Sequence, residues 1–327
     1  MQATLALVAA MVRRYLEMHL ESIVDVVLSA RFLVLSAFVS MALYAHTRGR
    51  THLRFFRELF GPATLMAPIN VPIYLSSAVP SKPFLDLDLI PGLKFLEQHW
   101  QELRDEADRL HGQGAIRGSE VYDDAGFNSF FRRGWKRFYL KWYGEPAPSA
   151  RELCPRTLEL LEQVPAVRAA MFVRMAPQSR LPIHRDPFAG SLRFHLGLRT
   201  PNSEKCRITV DGETYWWKDG EGVLFDETFL HRAENETDED RIILFCDIER
   251  PLKLSVLTAF NRLVGSTLMR AARTRNVPGE EVGLVNRLFG LLYPIRVLGK
   301  RIKERSKVGY YVLKYALVVA VVLAIFS

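Results

Sequence analysis

Two histidines, an aspartate and an arginine in the second half of the chain have the types and the spacing of a metal site. His184 and Asp186 are separated by one residue, and His231 and Arg241 follow further along. Alternate side chains of an extended strand point to the same face, so His184 and Asp186 can bind one metal ion together. Two imidazoles and one carboxylate suit Fe(II) and leave positions open for a bidentate co-substrate and dioxygen. We therefore predict an iron site at His184, Asp186 and His231.

Arg241 has the chemistry to bind an organic acid beside that iron. Its planar guanidinium can hold a carboxylate, such as the distal one of a 2-oxoacid, through two parallel hydrogen bonds. In residues 192–198, alternation places Arg193 and His195 on one face and apolar side chains on the other, so the polar face would line a pocket. Singly, each residue has an ordinary explanation, such as a core histidine or a surface salt bridge. Their combination favours a co-substrate pocket.

Several segments around these residues resemble the aspartyl/asparaginyl β-hydroxylase family of iron- and 2-oxoglutarate-dependent oxygenases, and within it the bacterial lipid A hydroxylases. The likeness runs from about residue 40 to about residue 265. It is carried by residues 124–131, 134–143, 184–198, 210–213, 225–228 and 244–251.

The resemblance implies roles for individual residues. His184 and His231 match the two iron-binding histidines, while Arg193, His195 and Arg241 match the side chains that hold 2-oxoglutarate. Animal peptidyl hydroxylases of this family have glycine where this chain has Asp186, so the family leaves its role open, and the spacing favours iron binding. The implied reaction hydroxylates position 2 of a secondary acyl chain of lipid A and releases succinate and CO2. Another acyl lipid such as ornithine lipid, peptidyl aspartate or asparagine hydroxylation, and a non-enzymatic membrane scaffold are the alternatives.

Composition favours a membrane partner over nucleic acid. The chain has 327 residues, 49% of them hydrophobic, and a formal charge of +8. The basic residues cluster beside apolar segments, which suits anionic phospholipid, and no zinc-finger or RNA-binding signature occurs. The odd number of cysteines, without a paired spacing, indicates free thiols in a reducing compartment. They are Cys154, Cys206 and Cys246.

Both ends of the chain contain apolar segments. We predict an interfacial or loose N-terminus at residues 1–21, a transmembrane anchor at 22–46 and a C-terminal transmembrane helix at 309–326. Basic residues flank each anchor, which by the positive-inside rule places the catalytic region on the cytoplasmic side of a bacterial inner membrane. The flanking residues are Arg48, Arg50, Arg54 and Arg57 after the first anchor, and Arg296, Lys300, Arg301, Lys303, Arg305 and Lys307 before the second.

The middle of the chain is predicted to hold the enzyme. Six prolines in residues 61–91 mark the segment 47–91 as a linker. The oxygenase domain is predicted at residues 92–252, and basic membrane-proximal helices at residues 253–308. Helices are expected at 92–111, 155–164 and 254–275. The aromatic and basic run 127–143 fits either a lipid head-group site or an ordinary strand pair.

Short β-rich runs with a hairpin signal at Asp211-Gly212 predict the catalytic fold. That fold is mainly β with flanking helices, a double-stranded β-helix (jelly-roll) core with membrane-anchoring helices at both ends. The expected strands are 171–175, 192–198, 206–210, 214–217, 222–225 and 242–248.

Overall fold

Along the chain, helices precede, interrupt and follow the strands. The computed structural model describes residues 11, 13, 14, 29–54, 58, 61–119 and 122–326, and it divides into two units, Met1–Tyr44 with Leu298–Ser327, and Ala45–Val297. The helices are α1 (Ala30–Thr47), α2 (Pro62–Leu65), α3 (Ala67–Leu75), α4 (Leu93–Gln98), α5 (Trp100–Gly112), α6 (Asn128–Phe131), α7 (Pro148–Leu153), α8 (Pro155–Glu162), α9 (Ser255–Val264), α10 (Leu284–Arg305) and α11 (Lys307–Phe326).

Two antiparallel sheets form the centre of the Ala45–Val297 unit. One has the strand order β1-β8-β5-β10-β3-β2 and the other the order β4-β9-β6-β7. Most neighbours in the sheets are distant in sequence, as in a jelly-roll, which confirms the predicted fold class. The strands are β1 (Phe84–Leu85), β2 (Trp135–Trp142), β3 (Val167–Met175), β4 (Ser179–His184), β5 (Ser191–Arg199), β6 (Cys206–Val210), β7 (Glu213–Trp216), β8 (Gly222–Phe225), β9 (His231–Asn235) and β10 (Arg241–Glu249).

The larger sheet separates two apolar clusters. Its outer face packs against α4, α5, α7 and α8, with residues such as Leu96, Leu103 and Leu161 fully or almost fully buried. Its inner face and the smaller sheet share the second cluster. Burying each such leucine stabilises the fold by roughly 1.5–3 kcal/mol relative to leaving it exposed.

Strand register brings the polar residues of β5 and β10 together. β10 pairs with β5 so that Asp247 lies opposite Arg193 and Phe245 opposite His195. Both strands are buried on both faces except at one end, so these polar groups are enclosed by the protein.

All six predicted strands are present, extended by a few residues at most. β1, β2, β4 and β9 are additional strands. In β4, Arg180 and Pro182 are exposed, and a proline inside a run weakens the sequence pattern expected for a strand. The predicted helix at 92–111 is two helices, because the chain leaves helical geometry at His99, whose Nδ1 bonds to the carbonyl of Phe95 at 2.9 Å.

The prediction of a linker at 47–91 is wrong for the part after residue 61. Prolines begin α2 and α3, where a missing N–H costs no helical hydrogen bond, and β1 then pairs with β8 through Phe84 and Phe225. Residues 45–91 therefore belong to the same folded unit as the predicted oxygenase domain, which also extends past residue 252 to Val297.

The hairpin signal is confirmed. Asp211 and Gly212 have φ of +48° and +91°, as a tight turn between β6 and β7 requires. The Asp211 carboxylate also accepts hydrogen bonds from the backbone N–H groups of Arg50 (2.8 Å) and Thr51 (2.7 Å). The turn thus fastens the segment that follows α1.

The run 127–143 is α6 followed by β2, so it is largely structural. Arg137 is buried and donates from Nε and Nη2 to Asp124 at 3.1 and 3.0 Å, which removes it from any head-group site. Of the predicted helix 254–275, the part from Ser255 to Val264 is α-helical. A π-helical turn (Gly265–Met269) and a 3-10 turn (Arg270–Ala272) follow it.

Both terminal segments are helical where the structure describes them. Within the described residues, α1 is the one helix found long and apolar enough to cross a bilayer, and α11 has 20 residues. Residues 22–28 of the predicted anchor and nearly all of 1–21 lie outside the described residues, as does Arg57. Within the predicted basic flank, the side chain of Arg48 is paired with Asp226 of the folded unit.

Candidate metal and co-substrate site

The three predicted iron ligands converge. His184 is the last residue of β4 and His231 the first of β9, and the two are cross-strand partners with ring centroids 4.3 Å apart. β4 stops at His184, so Asp186 lies in a loop and not on a continuing strand as predicted, with its N–H bonded to the carbonyl of Glu227 at 3.0 Å. One donor atom from each residue lies within 4.8 Å of the other two. The donor set can therefore hold one ion.

Backbone carbonyls orient both imidazoles. Nδ1 of His184 lies 2.7 Å from the carbonyl oxygen of Pro182, and Nδ1 of His231 lies 3.0 Å from that of Phe229. An N–H at each Nδ1 leaves Nε2 with a free lone pair, which is the arrangement of most metal-binding histidines. The Nε2 atom of His184 is 3.9 Å from the Asp186 carboxylate.

The charge states of these groups suit metal binding. Burial, together with the adjacent His184, lowers the pKa of His231 to about 3, so the imidazole is neutral at physiological pH. Burial alone would raise the pKa of Asp186, but Arg193 and the two imidazoles hold it below its ordinary value. A neutral imidazole and an ionised carboxylate are the forms that coordinate metal ions.

Arg193 is surrounded by carboxylates of the protein. Its Nη2 lies 2.8 Å from Asp186 and 3.0 Å from Asp247, and it also contacts Glu227. The guanidinium is stacked 3.7 Å from the centre of the Phe245 ring. Arg193 therefore orients the Asp186 carboxylate.

Glu227 and Asp247 are site residues to which the sequence analysis gave no role. Burial raises the pKa of both carboxyl groups, and Arg193 offsets part of that rise. Ser191 Oγ donates to Glu227 at 2.5 Å and the Tyr143 hydroxyl donates to Asp247 at 2.9 Å. Asp247 could have been found by counting alternate positions from Arg241 along β10, whereas Glu227 lies in a loop and gives no such signal.

Arg241 is a buried cation without a carboxylate partner among the described residues. It is 2% exposed, its Nε lacks a hydrogen bond within the described structure, and its guanidinium lies 4.2 Å from the centre of the Trp217 ring. Burial lowers its pKa to about 10, still well above physiological pH. A buried charge is costly unless an opposite charge joins it, so the site suits an anionic ligand.

His195 is also buried with unused polar atoms. Neither ring nitrogen has a hydrogen-bond partner in the described structure, and the ring lies among Trp217, Phe225 and Phe245. Burial lowers its pKa well below the ordinary value, and Arg193 and Arg241 lower it further, so it is a neutral imidazole. It can donate one hydrogen bond to a bound acid and accept another.

One cavity contains all six predicted site residues. His184, Asp186, Arg193, His195, His231 and Arg241 line it, and aromatic and aliphatic side chains make up the rest of the wall. The cavity wall includes Phe127, Phe130, Trp135, Leu181, Ile208, Phe225, Ala233, Ile243 and Phe245. The structure thus brings the metal-binding and anion-binding groups into one mainly apolar space.

An ion-pair cluster supports the loop that precedes His231. The fully buried carboxylate of Asp226 lies 2.5 Å from Arg48 and 3.0 Å from Arg250, and Thr228 donates to it at 2.6 Å. Arg48 also stacks on Phe229, whose carbonyl orients His231. The sequence gives no signal for this cluster because its members are distant in the chain.

Comparison with known proteins agrees with the resemblance seen in the sequence. Residues 97–251 match the family model described as aspartyl/asparaginyl beta-hydroxylase. That range contains all six predicted site residues. The match confirms the resemblance at the level of the family and not of its lipid A branch.

Curated relatives cover parts of the chain. An ornithine lipid ester-linked acyl 2-hydroxylase of Rhizobium tropici is 38% identical over 120 residues, which are 36% of this chain and 43% of the relative. The human aspartyl/asparaginyl beta-hydroxylase is 29% identical over 164 residues, covering 49% of this chain and 21% of the relative. The human aspartate beta-hydroxylase domain-containing protein 2 is 28% identical over 189 residues, covering 55% and 50%. The chain spans at most half the length of these relatives.

Among solved structures, a Pseudomonas putida prolyl-4-hydroxylase is similar over 57% of this chain and 100% of its own, at 15% identity and a TM-score of 0.34. That score is too low to compare the two folds in detail. The jelly-roll assignment therefore depends on the strand order and pairing described above.

Proposed function

Because residues 97–251 match the aspartyl/asparaginyl β-hydroxylase family, we propose that this chain is an Fe(II)- and 2-oxoglutarate-dependent dioxygenase that hydroxylates a lipid acyl chain. The observation that carries the proposal is the shared cavity, in which a His-Asp-His group lies beside a buried arginine that has no carboxylate partner among the described residues. A metal site alone would fit many activities. The adjacent arginine adds the need for an anionic co-substrate.

The residues divide into two groups with different tasks. His184, Asp186 and His231 would hold the iron, with Arg193 and the two backbone carbonyls fixing their orientation. Arg241 would bind the distal carboxylate of 2-oxoglutarate, with His195 and Arg193 nearby as further donors. Bound together, iron and 2-oxoglutarate supply dioxygen-dependent hydroxylation of an unactivated C–H bond, with release of succinate and CO2. The aromatic wall would exclude water from the reacting carbon.

We propose position 2 of an ester-linked acyl chain of a membrane lipid as the target, and a secondary acyl chain of lipid A as the first substrate to test. The resemblance of residues 184–198 and 244–251 to bacterial lipid A hydroxylases supports this choice. The apolar helix α1 supports a position at the membrane. The basic residues beside the apolar ends favour the cytoplasmic side of the inner membrane.

A second candidate is ornithine lipid. The Rhizobium tropici relative is 38% identical and is named for 2-hydroxylation of that lipid's ester-linked acyl chain. The two substrates share the reacting group, an acyl carbon next to an ester, and differ in the head group. The same cavity could serve either one.

Two measurements test the proposal. Purified protein with Fe(II) and 2-oxoglutarate should release succinate, and His231→Ala should abolish that release. Mass spectrometry of lipid A and of the polar lipids, with and without the gene, should then show the loss of one oxygen atom from a single lipid pool. Succinate release by iron-loaded His231→Ala at the normal rate would refute the assignment of the site, and unchanged spectra of both lipid pools would refute a lipid substrate.

A further inference from the structure

Helices α2 and α3 have an outward face made of apolar residues. No charged residue occurs in residues 61–81, although this segment lies at the surface of the folded unit. Its inward side is buried, with Ala67, Asn70, Val71 and Ile73 packed against the domain. A helix that is apolar on both sides is expected inside a protein or in contact with lipid. Water is therefore an unfavourable neighbour for the outward face.

The start of α9 extends this apolar face. Lys253 N–H donates to the carbonyl of Ser76 at 2.7 Å, and Leu254 N–H donates to the Ser76 hydroxyl at 3.3 Å. Exposed apolar residues at the end of α3 and the start of α9 are therefore neighbours. We name these residues the apolar ridge: Leu65 (67% exposed), Leu75 (69%), Leu254 (54%) and Val256 (69%).

The charges around the apolar ridge are basic. No aspartate or glutamate occurs between Glu58 and Asp86, or between Glu249 and Glu280. Lys82 and Lys253 are exposed beside the ridge segments. Apolar segments that carry exposed lysines and contain no acidic residue are complementary to an anionic phospholipid surface.

Helix α2 lines a second cavity that reaches the candidate iron ligand His184. Pro62 and Ala63 form part of its wall with Ala45, Ile183 and His184. Ala45 and His46, in the same wall, belong to the last turn of α1. If α1 crosses the bilayer, its end at Thr47 lies at the interface, next to the Ala45 and His46 that form part of this cavity's wall.

Asn70 connects the ridge helix to the iron-ligand loop. Its side-chain amide donates to the carbonyl of Pro187 at 2.8 Å and accepts from the N–H of Ala189 at 2.9 Å. These residues directly follow Asp186. The inward side of α3 thus binds the loop that contains Asp186, while its outward side carries no charged residue.

We propose that the apolar ridge lies in the interface of an anionic bilayer and that a lipid acyl chain reaches His184 through the cavity beside α2. This inference rests on the proposed function for its acyl substrate, but the position of the ridge in the membrane does not depend on catalysis. The binding partner that we assign to the apolar ridge is the bilayer itself, in which the substrate lipid is dissolved.

Site-directed spin labelling tests the ridge in the full-length protein. Leu65→Cys, Leu75→Cys and Leu254→Cys would each carry a nitroxide in bilayers of phosphatidylethanolamine and phosphatidylglycerol, because the three native cysteines are buried. Leu89→Cys is the matched control, an exposed leucine next to Asp88. We expect the ridge labels to be more accessible to oxygen than to a water-soluble nickel complex, and the control label to show the reverse. Ridge labels as accessible to nickel as the control would overturn the proposal.

A second measurement tests delivery of the acyl chain. The double variant Leu65→Asp, Leu75→Asp should hydroxylate lipid in vesicles at least about tenfold more slowly, since the new charges oppose insertion. Its hydroxylation of detergent-dispersed lipid should equal that of the unmodified protein. An equal loss in vesicles and in detergent, or no loss in vesicles, would contradict delivery through the ridge. If the labels are in the bilayer but the unmodified protein consumes no 2-oxoglutarate, the proposed function fails and the membrane surface stands.

Discussion

Arg48, the residue after α1, lies 2.5 Å from the buried carboxylate of Asp226, five residues before the iron-ligand candidate His231. Arg250 pairs with the same carboxylate from the opposite end of the domain sequence, at 3.0 Å. The residue that follows the apolar helix is therefore fixed to the loop that precedes the candidate ligand His231.

Asp226→Asn should destabilise the protein at neutral pH. Two buried arginines would lose their counter-charge, and breaking a buried ion pair costs about 3–5 kcal/mol. Arg250 and Arg48 hold the pKa of Asp226 far below its ordinary value against the effect of burial. The carboxylate thus contributes stability above about pH 4, and this contribution is lost as the pH falls further.

The measurement is the midpoint of thermal unfolding as a function of pH for both proteins. The difference between unmodified protein and Asp226→Asn should be largest at neutral pH and shrink below about pH 4. Thr237→Val, which changes a partly exposed hydroxyl in another turn, serves as a control. Equal midpoints at pH 7 would show that the ion-pair cluster adds no stability.

Arg241→Met should raise the melting temperature of the protein without co-substrate. The change removes a buried charge that no described carboxylate neutralises and keeps most of the side-chain volume. Unmodified protein should gain about 2.7 kcal/mol of stability from 2-oxoglutarate at 100 times its Kd, and the variant should gain none at that concentration.

Arg193→Met is the matched comparison for this experiment. Arg193 is paired with three carboxylates, so its removal should lower the melting temperature where the loss of Arg241 raises it. Both variants can be measured by differential scanning fluorimetry with a redox-inert metal. Stabilisation of Arg241→Met by 2-oxoglutarate equal to that of the unmodified protein would remove Arg241 from the co-substrate site.

Asp186→Ala should weaken iron binding more than changes in the surrounding carboxylates do. Loss of an outer-shell group typically reduces metal affinity about 10- to 100-fold, and loss of a direct ligand should exceed that range. Asp247→Asn is the control, because it contacts Arg193 at 3.0 Å as Asp186 does at 2.8 Å, but is not in the ligand group. Anaerobic titration with Fe(II) measures both. Equal losses in the two variants would mean that Asp186 acts only through Arg193.

Asn70→Ala should loosen the loop after Asp186. It leaves the Pro187 carbonyl and the Ala189 N–H without their partners, at a cost of about 1–3 kcal/mol. We expect weaker iron binding, and hydrogen exchange in residues 185–190 that is faster than in the unmodified protein. Asn202→Ala, at a partly exposed turn of the same domain, should leave both unchanged. Unchanged exchange in residues 185–190 of Asn70→Ala would contradict the role given to this amide.

The sequence was sufficient to predict most of the strands and the convergence of His184, Asp186 and His231. Apolar alternation gives strands such as β5 and β10, and the family resemblance gives the histidines. Asp186 reaches the site from a loop, because its N–H is held by Glu227, so the right residue was chosen with the wrong local geometry.

The residues whose roles could not be predicted from the sequence are those that pair with residues distant in the chain. Glu227 and Asp226 are adjacent in the chain, yet one faces Arg193 and the other faces Arg48 and Arg250. Only the folded arrangement decides such partners. For the same reason the sequence does not predict the pairing of Arg48 with Asp226, and it predicts a linker where α2 and α3 lie.

The hold of Arg48 on Asp226, and of the Arg50 and Thr51 N–H groups on Asp211, sets a limit on shortening the protein. A water-soluble truncation that deletes everything before residue 60 would leave the buried Asp226 carboxylate with Arg250 but without Arg48. It would also remove the Arg50 and Thr51 N–H groups that bind Asp211 in the β6–β7 turn. A truncation that starts at Ala45 keeps both attachments and removes most of the apolar helix. Crystallisation trials of the enzyme domain should begin from that shorter deletion.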